Sequence, residues 1–447
     1  MLGAFRSHPR DRAIVALAVP ALGTLAIDPL VSIVDTAWVG RLGTVPLASL
    51  AIASAVFVAV FSVFNFVQAA VTPLVAGEVG RADIPRAGAI ATGAIVSAVA
   101  VGVGVTAVAV VLAEPLTRMF GAQEAVVIGA TAYLRIRFLA LPAVLVVMVG
   151  HGIYRGHSDT RTPLGVAVGM NILNLVLDPL LIFGAGLGVT GAAWATLVAQ
   201  GLAAAWFIVL IFVVHRDRLG TDLRTHRIGT LGIGRIFRTG WPMMVRGGAL
   251  LLAITASTLA AARIGTQQVA AHQIAMQVWL FLAFALDSFA IAATAMIGTD
   301  LGAGNVPAAR SVANRLLALG FMAGIGLSIL LAVTLPLVGA VFTADPGVRG
   351  DLSSIYPFVV VLQPITALVY VWDGIGIGAS AFKFLAGSTV IAAVATIVTI
   401  VAVGDTLIGV WVGVTVLTVT RLVGLALWHR SGPLSYAPGP SPGSLGA

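Results

Sequence analysis

The chain has 447 residues, of which 59% are hydrophobic and only 9% charged, and its mean hydropathy is +1.06. Soluble domains carry about a quarter charged residues, so this composition excludes an ordinary water-soluble globule. The sequence contains no cysteine, which excludes disulfides, thiol nucleophiles and thiolate metal sites. The sequence therefore predicts a protein that crosses a membrane many times.

The predicted elements are long apolar helices. About 20 mostly apolar residues are needed for a helix to cross the hydrocarbon core of a bilayer. Apolar runs this long lack the alternating pattern of a transmembrane β-barrel. We therefore predict an all-α polytopic membrane protein. Its twelve transmembrane helices lie, in chain order, at 13–40, 46–77, 87–113, 125–150, 161–184, 190–214, 236–262, 268–298, 309–335, 352–378, 382–403 and 407–429.

The positive charges indicate the orientation of these spans. Most of the 25 Lys and Arg fall in segments that lie on one side when twelve spans start from a cytoplasmic N-terminus. This bias predicts a multi-pass protein of the cytoplasmic membrane with both termini in the cytoplasm. The net charge of +8 then reflects topology, so we expect a lipid bilayer and no nucleic acid as its partner.

The two halves of the chain resemble each other. At an offset of 222 residues, Arg41-Leu-Gly-Thr44 aligns with Arg263-Ile-Gly-Thr266, and Gly80 aligns with Gly302. Six spans in each half predict two six-helix bundles with the same orientation. A duplication without transport is the alternative. The predicted parts are an N-terminal lobe at 1–214, a cytoplasmic inter-lobe loop at 215–235, a C-terminal lobe at 236–430 and a disordered tail at 431–447.

Polar side chains inside the N-terminal spans mark a candidate site. A carboxylate at mid-membrane costs roughly 2.5–3.5 kcal/mol, so such groups usually face a cavity. Asp28 and Asp35 lie seven residues apart on span 1, and therefore on one helical face. On span 5, Asn171, Asn174 and Asp178 also share one face. We expect both stripes to face a hydrated pocket, and a helix-breaking role beside Pro29 is an alternative for Asp28.

A third polar stripe lies on span 2, where Asn65, Gln68 and Thr72 follow the same spacing. The simplest joint arrangement of the three stripes is around one shared pocket. Hydrogen bonding that only holds neighbouring helices together is an equally weighted alternative for this stripe.

The second half carries its own intramembrane polar groups. Gln273, Gln277 and Asp287 lie on span 8, and Asp373 lies on span 10. Arg246 on span 7 needs a partner, because a buried guanidinium is costly unless it is paired. We predict that it pairs with Asp287 or Asp373, either in transport or as a static support.

The chemistry of these groups indicates ion binding. A carboxyl group removed from water binds a proton more readily, and the same oxygen-rich pocket suits Na⁺ at Asp35 and Asp178. Motifs of metalloproteases, serine hydrolases and ATP-binding loops are absent from the sequence. We therefore expect no enzymatic activity, no cofactor, and transport driven by an ion gradient.

Several short motifs extend over both halves of the chain. The first lies in span 1, as Asp28-Pro-Leu-x4-Asp35-Thr-x2-Val-Gly40. The others are Arg155-Gly156-x2-Asp159-Thr160, Asn174-x3-Asp178-Pro179, Gly188-x2-Gly191-Ala-Ala-x-Ala-Thr196 and Asp373-Gly374-x3-Gly378-Ala-Ser380. Together these motifs resemble the multidrug and toxic compound extrusion (MATE) family, in particular its DinF-like branch.

The resemblance implies a two-lobed antiporter that exports amphipathic or cationic organic compounds, such as drugs and toxins, by alternating access. It implies coupling to H⁺, less often Na⁺, through Asp35, Asn174 and Asp178, with Thr196 beside them. We expect a monomer. Ala381 departs from the family, because an acidic residue often stands there. A flippase for a lipid-linked precursor and a non-transporting membrane receptor or scaffold are the alternatives.

Overall fold

The fold is helical throughout the part of the chain that this computed structural model describes, residues 8–222, 233–432 and 434. This part contains no β-strand. Two π-helical turns, Leu180–Gly184 and Leu210–Val214, extend α7 and α8. Its α-helices are α1 Asp11–Gly40, α2 Thr44–Ser62, α3 Asn65–Gly80, α4 Ile84–Arg118, α5 Glu124–Leu139, α6 Leu141–Gly156, α7 Arg161–Pro179, α8 Val189–Val209, α9 Arg216–Leu219, α10 Ile233–Ile264, α11 Thr266–Gly302, α12 Val306–Phe342, α13 Pro346–Gly378, α14 Phe382–Val403 and α15 Leu407–Arg430.

Eleven helical stretches of the described part are long and apolar enough to cross a membrane. The pair α5 and α6, bent by 49° at its break, supplies a twelfth if it forms one span. Pro142 lies in the first turn of α6 and lacks an N–H, which favours a helix start at this point. The predicted all-α polytopic fold is confirmed, with eleven or twelve candidate spans against the twelve predicted.

The repeat predicted from the sequence is also present in the backbone. Left-handed φ angles occur at Ala82 (58°) and, 222 residues later, at Gly304 (70°). Ser158 and Ser380 form a second such pair, each with φ of 56°. Because these positions end equivalent helices, the two halves share their turns as well as their spans.

The described residues group into two compact units. One contains the described residues of Val15–Val75 and Asp83–Gly247, and the other contains the described residues of Met1–Ile14, Ala76–Ala82 and Gly248–Ala447. Each unit has its own apolar core, which includes the fully buried Phe138 in the first and the fully buried Trp411 in the second. The lobe boundaries given above stay a prediction. The segment 215–235 contains α9, and its residues 223–232 lie outside the described part, as does most of the tail.

In the second unit, α3 and α11 cross at glycines that the repeat relates. A Cβ atom added to Gly80 would lie 2.1 Å from the carbonyl oxygen of Thr299, and one added to Gly302 would lie 2.1 Å from that of Gly77. The two backbones are therefore in contact at this point. Small residues permit such close approach between helices in membranes.

Candidate functional site

The polar stripe on α7 is buried as the spacing predicted. Asn171, Asn174 and Asp178 are all buried, and Asp178 has no exposed surface. Pro179 follows Asp178 directly, and the helix then widens into the π-helical turn Leu180–Gly184. A π-helical turn of this kind frequently marks a functional site.

Asp178 and Asp35 interact through their carboxyl groups, which brings α7 and α1 together. Among the residues the structure describes, no donor forms a hydrogen bond with Asp35 Oδ1 or with either carboxyl oxygen of Asp178. Two carboxylates at one buried site repel each other when both are ionised. The pair is therefore suited to bind a positive ion, either a proton or a small metal cation.

A cavity of about 330 Å³ lies within the first unit beside this pair. Asp35, Asn171, Asn174 and Thr196 line it. Asp178 is not among the lining residues and reaches the cavity through its interaction with Asp35. Asp28 also lines the cavity, and its side chain is exposed. The remainder of the wall is largely apolar and aromatic, and includes the side chains Val31, Leu50, Phe57, Val58, Phe61 and Met170.

Hydrogen bonds hold the amides of α7 against their neighbours. Asn171 Nδ2 donates to Asp28 Oδ1 at 2.9 Å, which joins α7 to α1. Asn174 Nδ2 donates to Thr196 Oγ1 at 3.4 Å, and Thr196 donates to the carbonyl oxygen of Ala192. The cavity therefore has an oxygen-rich, hydrogen-bonded wall.

The predicted stripe on span 2 has a different environment. Gln68 is half-buried and is not among the residues that line this cavity, and Thr72 is buried and donates to the carbonyl oxygen of Gln68. The side chain of Asn65 lies outside the described residues. This pattern favours helix packing over a role at this cavity.

The second-half candidates do not form part of this cavity. Gln273 and Gln277 are exposed, whereas Asp287 is half-buried. Asp373 is buried and forms a salt bridge with Arg421, which is also buried. The sequence reasoning did not single out Arg421.

The predicted pairing of Arg246, which is half-buried on α10, stays a prediction. Asp373, one of the two partners predicted for Arg246, forms a salt bridge with Arg421 on α15, a pairing that the sequence did not indicate.

The sequence reasoning also missed two side chains of the cavity wall. Tyr133 and Arg137 on α5 line it, and they interact with each other. Arg137 Nη1 donates to Gln200 Oε1 at 3.0 Å, and its guanidinium carbon lies 4.2 Å from the ring centre of Phe57. The available signal was an arginine near the middle of a span, which usually has a functional role.

The MatE family profile matches the chain twice, over residues 20–180 and 242–401. The chain belongs to the MatE family. The two matched segments start 222 residues apart, which is the offset of the internal repeat. The predicted family is therefore confirmed.

Members of the family resemble this chain over most of its length. Protein DETOXIFICATION 44, chloroplastic, from Arabidopsis thaliana is 33% identical over 437 residues, which cover 94% of this chain and 82% of the relative. DNA damage-inducible protein F from Escherichia coli strain K12 is 29% identical over 435 residues, which cover 94% and 92%.

A solved structure, described as the outward-facing conformation of a multidrug resistance MATE family transporter of the MOP superfamily, has the same fold. Its TM-score is 0.84 at 25% identity, covering 96% of this chain and 97% of that one. This MatE chain is thus a multi-pass membrane transporter of the multidrug and toxin efflux type.

Proposed function

We propose that this transporter is a proton-coupled antiporter that exports amphipathic or cationic organic compounds across the cytoplasmic membrane. The observation that supports it best is the carboxyl pair of the half-buried Asp35 and the fully buried Asp178, beside a cavity large enough for a small organic molecule. We also propose a monomer with both termini in the cytoplasm and without enzymatic activity.

The coupling step follows from electrostatics. When the pair loses a proton, the cavity gains a negative charge that attracts a cationic cargo. When the pair gains a proton, that charge and the attraction are lost, so protons and cargo compete for one site. Competition becomes coupling only if the proton binds the two transport states with different affinity.

Neighbouring polar groups have supporting roles in this proposal. Asn174 and Thr196 hold the wall next to the pair through their 3.4 Å hydrogen bond. Asn171 orients Asp28, which offers a second acceptor for a cationic cargo nearer to solvent. Polar side chains that surround a carboxyl pair fix its geometry without removing its charge.

The experiment compares acid-to-amide variants in liposomes with an imposed pH gradient. We expect Asp35→Asn and Asp178→Asn to insert and purify normally but to lose gradient-driven efflux, because neither keeps the carboxyl pair. Asp405→Asn makes the same change at an exposed loop position and should transport like the unmodified protein. Uphill transport by both Asp35→Asn and Asp178→Asn would refute the assignment.

The same preparation distinguishes coupling from binding. Exchange of labelled for unlabelled cargo needs no ion gradient, so variants that lose only coupling should retain it. Because the pair also attracts the cargo, Asp35→Asn should bind cargo more weakly and with less dependence on pH. Cargo binding by Asp35→Asn that varies with pH as in the unmodified protein would contradict the proposed role of this residue.

A further inference from the structure

Arg137 lies in the middle of a membrane-spanning segment. It is three residues before the break at Ala140, where α5 and α6 meet at a bend of 49°. An arginine at this depth is costly in lipid, and such residues usually face a bundle interior or a water-filled cavity. The side chain of Arg137 is half-buried and lines the cavity of about 330 Å³.

The groups that hold Arg137 in place are neutral. Gln200 accepts one hydrogen bond from Nη1 at 3.0 Å, and the ring of Phe57 lies under the guanidinium. Within residues 8–222, 233–432 and 434, no carboxylate lies within 4.0 Å of its nitrogens in a salt bridge. Asp35 acts on it only through the longer-range field. The positive charge is therefore fixed in position at the cavity wall without a bound counter-charge.

A guanidinium has five N–H donors in a planar fork, which matches a carboxylate or another planar anion. The hydrogen bond to Gln200 uses one of these donors and orients the group. The acidic groups of the same cavity, Asp28 and Asp35, lie on a different helix, α1. The cavity thus presents a fixed cation and ionisable acids to one occupant, with aromatic side chains between them.

We propose that Arg137 is a specificity-determining residue that binds an anionic group of the cargo, so that this cavity selects organic zwitterions. The carboxylate of such a cargo binds Arg137, its cationic group faces Asp28 and Asp35, and its apolar body packs on Phe57 and Phe61. This inference rests on the proposed function of the same cavity.

Exchange of cargo against protons favours a zwitterionic cargo over a simple anion. A cargo with a cationic group still competes with the proton for the acidic side of the cavity, so exchange is preserved. A cargo with only negative charge would bind better to the protonated cavity and would travel with the proton. Arg137 therefore adds selectivity to the proposed exchange without reversing its direction.

Two dyes that differ in one group test the proposal. Rhodamine 110 carries a free carboxylate beside its cationic ring system, and rhodamine 123 is its methyl ester and a simple cation. Binding of each to the purified full chain is measured by fluorescence anisotropy. We expect the unmodified protein to bind rhodamine 110 more tightly, and Arg137→Gln to lower that affinity about tenfold while rhodamine 123 changes less than about twofold.

The chain offers a matched control on the same helix. Arg135 is exposed and lies 3.6 Å from Glu114, so Arg135→Gln makes the same change away from the cavity and should leave both affinities unchanged. Arg137→Lys keeps the charge but loses the planar fork, so it should retain part of the preference for rhodamine 110.

Three results would overturn the proposal. The first is equal or tighter binding of rhodamine 123 by the unmodified protein, a measurement that needs no variant. The second is an equal loss of both dyes in Arg137→Gln, which would assign Arg137 to the fold or to the field at Asp35. The third is a loss of rhodamine 110 affinity in Arg135→Gln that is as large as the loss in Arg137→Gln. If instead neither dye is moved by any gradient in liposomes, the proposed function fails, while the binding ratio still tests Arg137.

Discussion

Replacing Gly80 by alanine tests the contact between α3 and α11. The added Cβ would lie 2.1 Å from the carbonyl oxygen of Thr299, whereas ordinary contact begins near 3.4 Å, so the helices would have to separate by about 1.3 Å. Overpacking of this kind costs about 1–3 kcal/mol. Alanine gains about 0.5–1 kcal/mol over glycine in a helix, so the net change should be destabilising.

Gly77 provides the control for this prediction. It lies three residues earlier on α3, and a Cβ added there meets nothing within 4 Å. Gly77→Ala should therefore keep only the gain in helix stability. The two substitutions are chemically identical and sit one turn apart, so a difference between them reports the crossing itself.

The assay is thermal unfolding of the purified protein, followed by the fluorescence of its eight tryptophans at one heating rate. Unfolding of such a protein is often irreversible, so midpoints are compared only between parallel samples. We expect Gly80→Ala to melt several degrees below the unmodified protein and Gly77→Ala to melt at or above it. A midpoint for Gly80→Ala equal to that of Gly77→Ala would refute the close crossing.

Three further predictions use the same assay. Arg421→Leu should destabilise the protein, because it removes the positive charge that pairs with the buried Asp373 carboxylate. Adding Asp373→Asn removes that negative charge as well and should restore part of the lost stability. Ala381→Asp should stabilise the folded protein by about 1 kcal/mol, because Ala381 precedes α14 and provides no side-chain cap. At the equivalent position of the first repeat, Asp159 accepts hydrogen bonds from backbone N–H groups of α7. A lower midpoint for Ala381→Asp would contradict this prediction. Burial raises the pKa of Asp159, but hydrogen bonds from Thr162 and Arg218 outweigh it and hold that pKa below its usual value. Asp159→Asn should therefore lower the midpoint at pH 7, and this difference from the unmodified protein should disappear as the pH falls below about 4. A difference that does not vary with pH would exclude the ionic contribution.

The polar residues of the first cavity were largely predictable from the sequence. The helical period places Asn171, Asn174 and Asp178 on one face, and the cost of burying polar groups in lipid turns that face inward. The same two rules apply to Asp35, which lies on α1 and lines the same cavity. Spacing alone was sufficient here because each of these two stripes lies within a single helix, α1 or α7.

The partners of buried charges were not predictable in the same way. Asp373 and Arg421 lie on α13 and α15, and the choice of Arg421 depends on how those helices pack, which no periodicity specifies. Arg137 lies close to a break between helices, where the apolar period is interrupted and its direction cannot be inferred. The exposed side chains of Gln273 and Gln277 show that a polar residue within a predicted span is not necessarily buried.

The central claim is that a proton gradient drives transport, and one measurement tests it directly. The unmodified protein is reconstituted in liposomes, a pH gradient and a Na⁺ gradient are imposed in separate experiments, and rhodamine 123 movement is followed. The account predicts that dye moves uphill with the pH gradient alone and that a proton ionophore abolishes this movement. Uphill movement that follows only the Na⁺ gradient would contradict it.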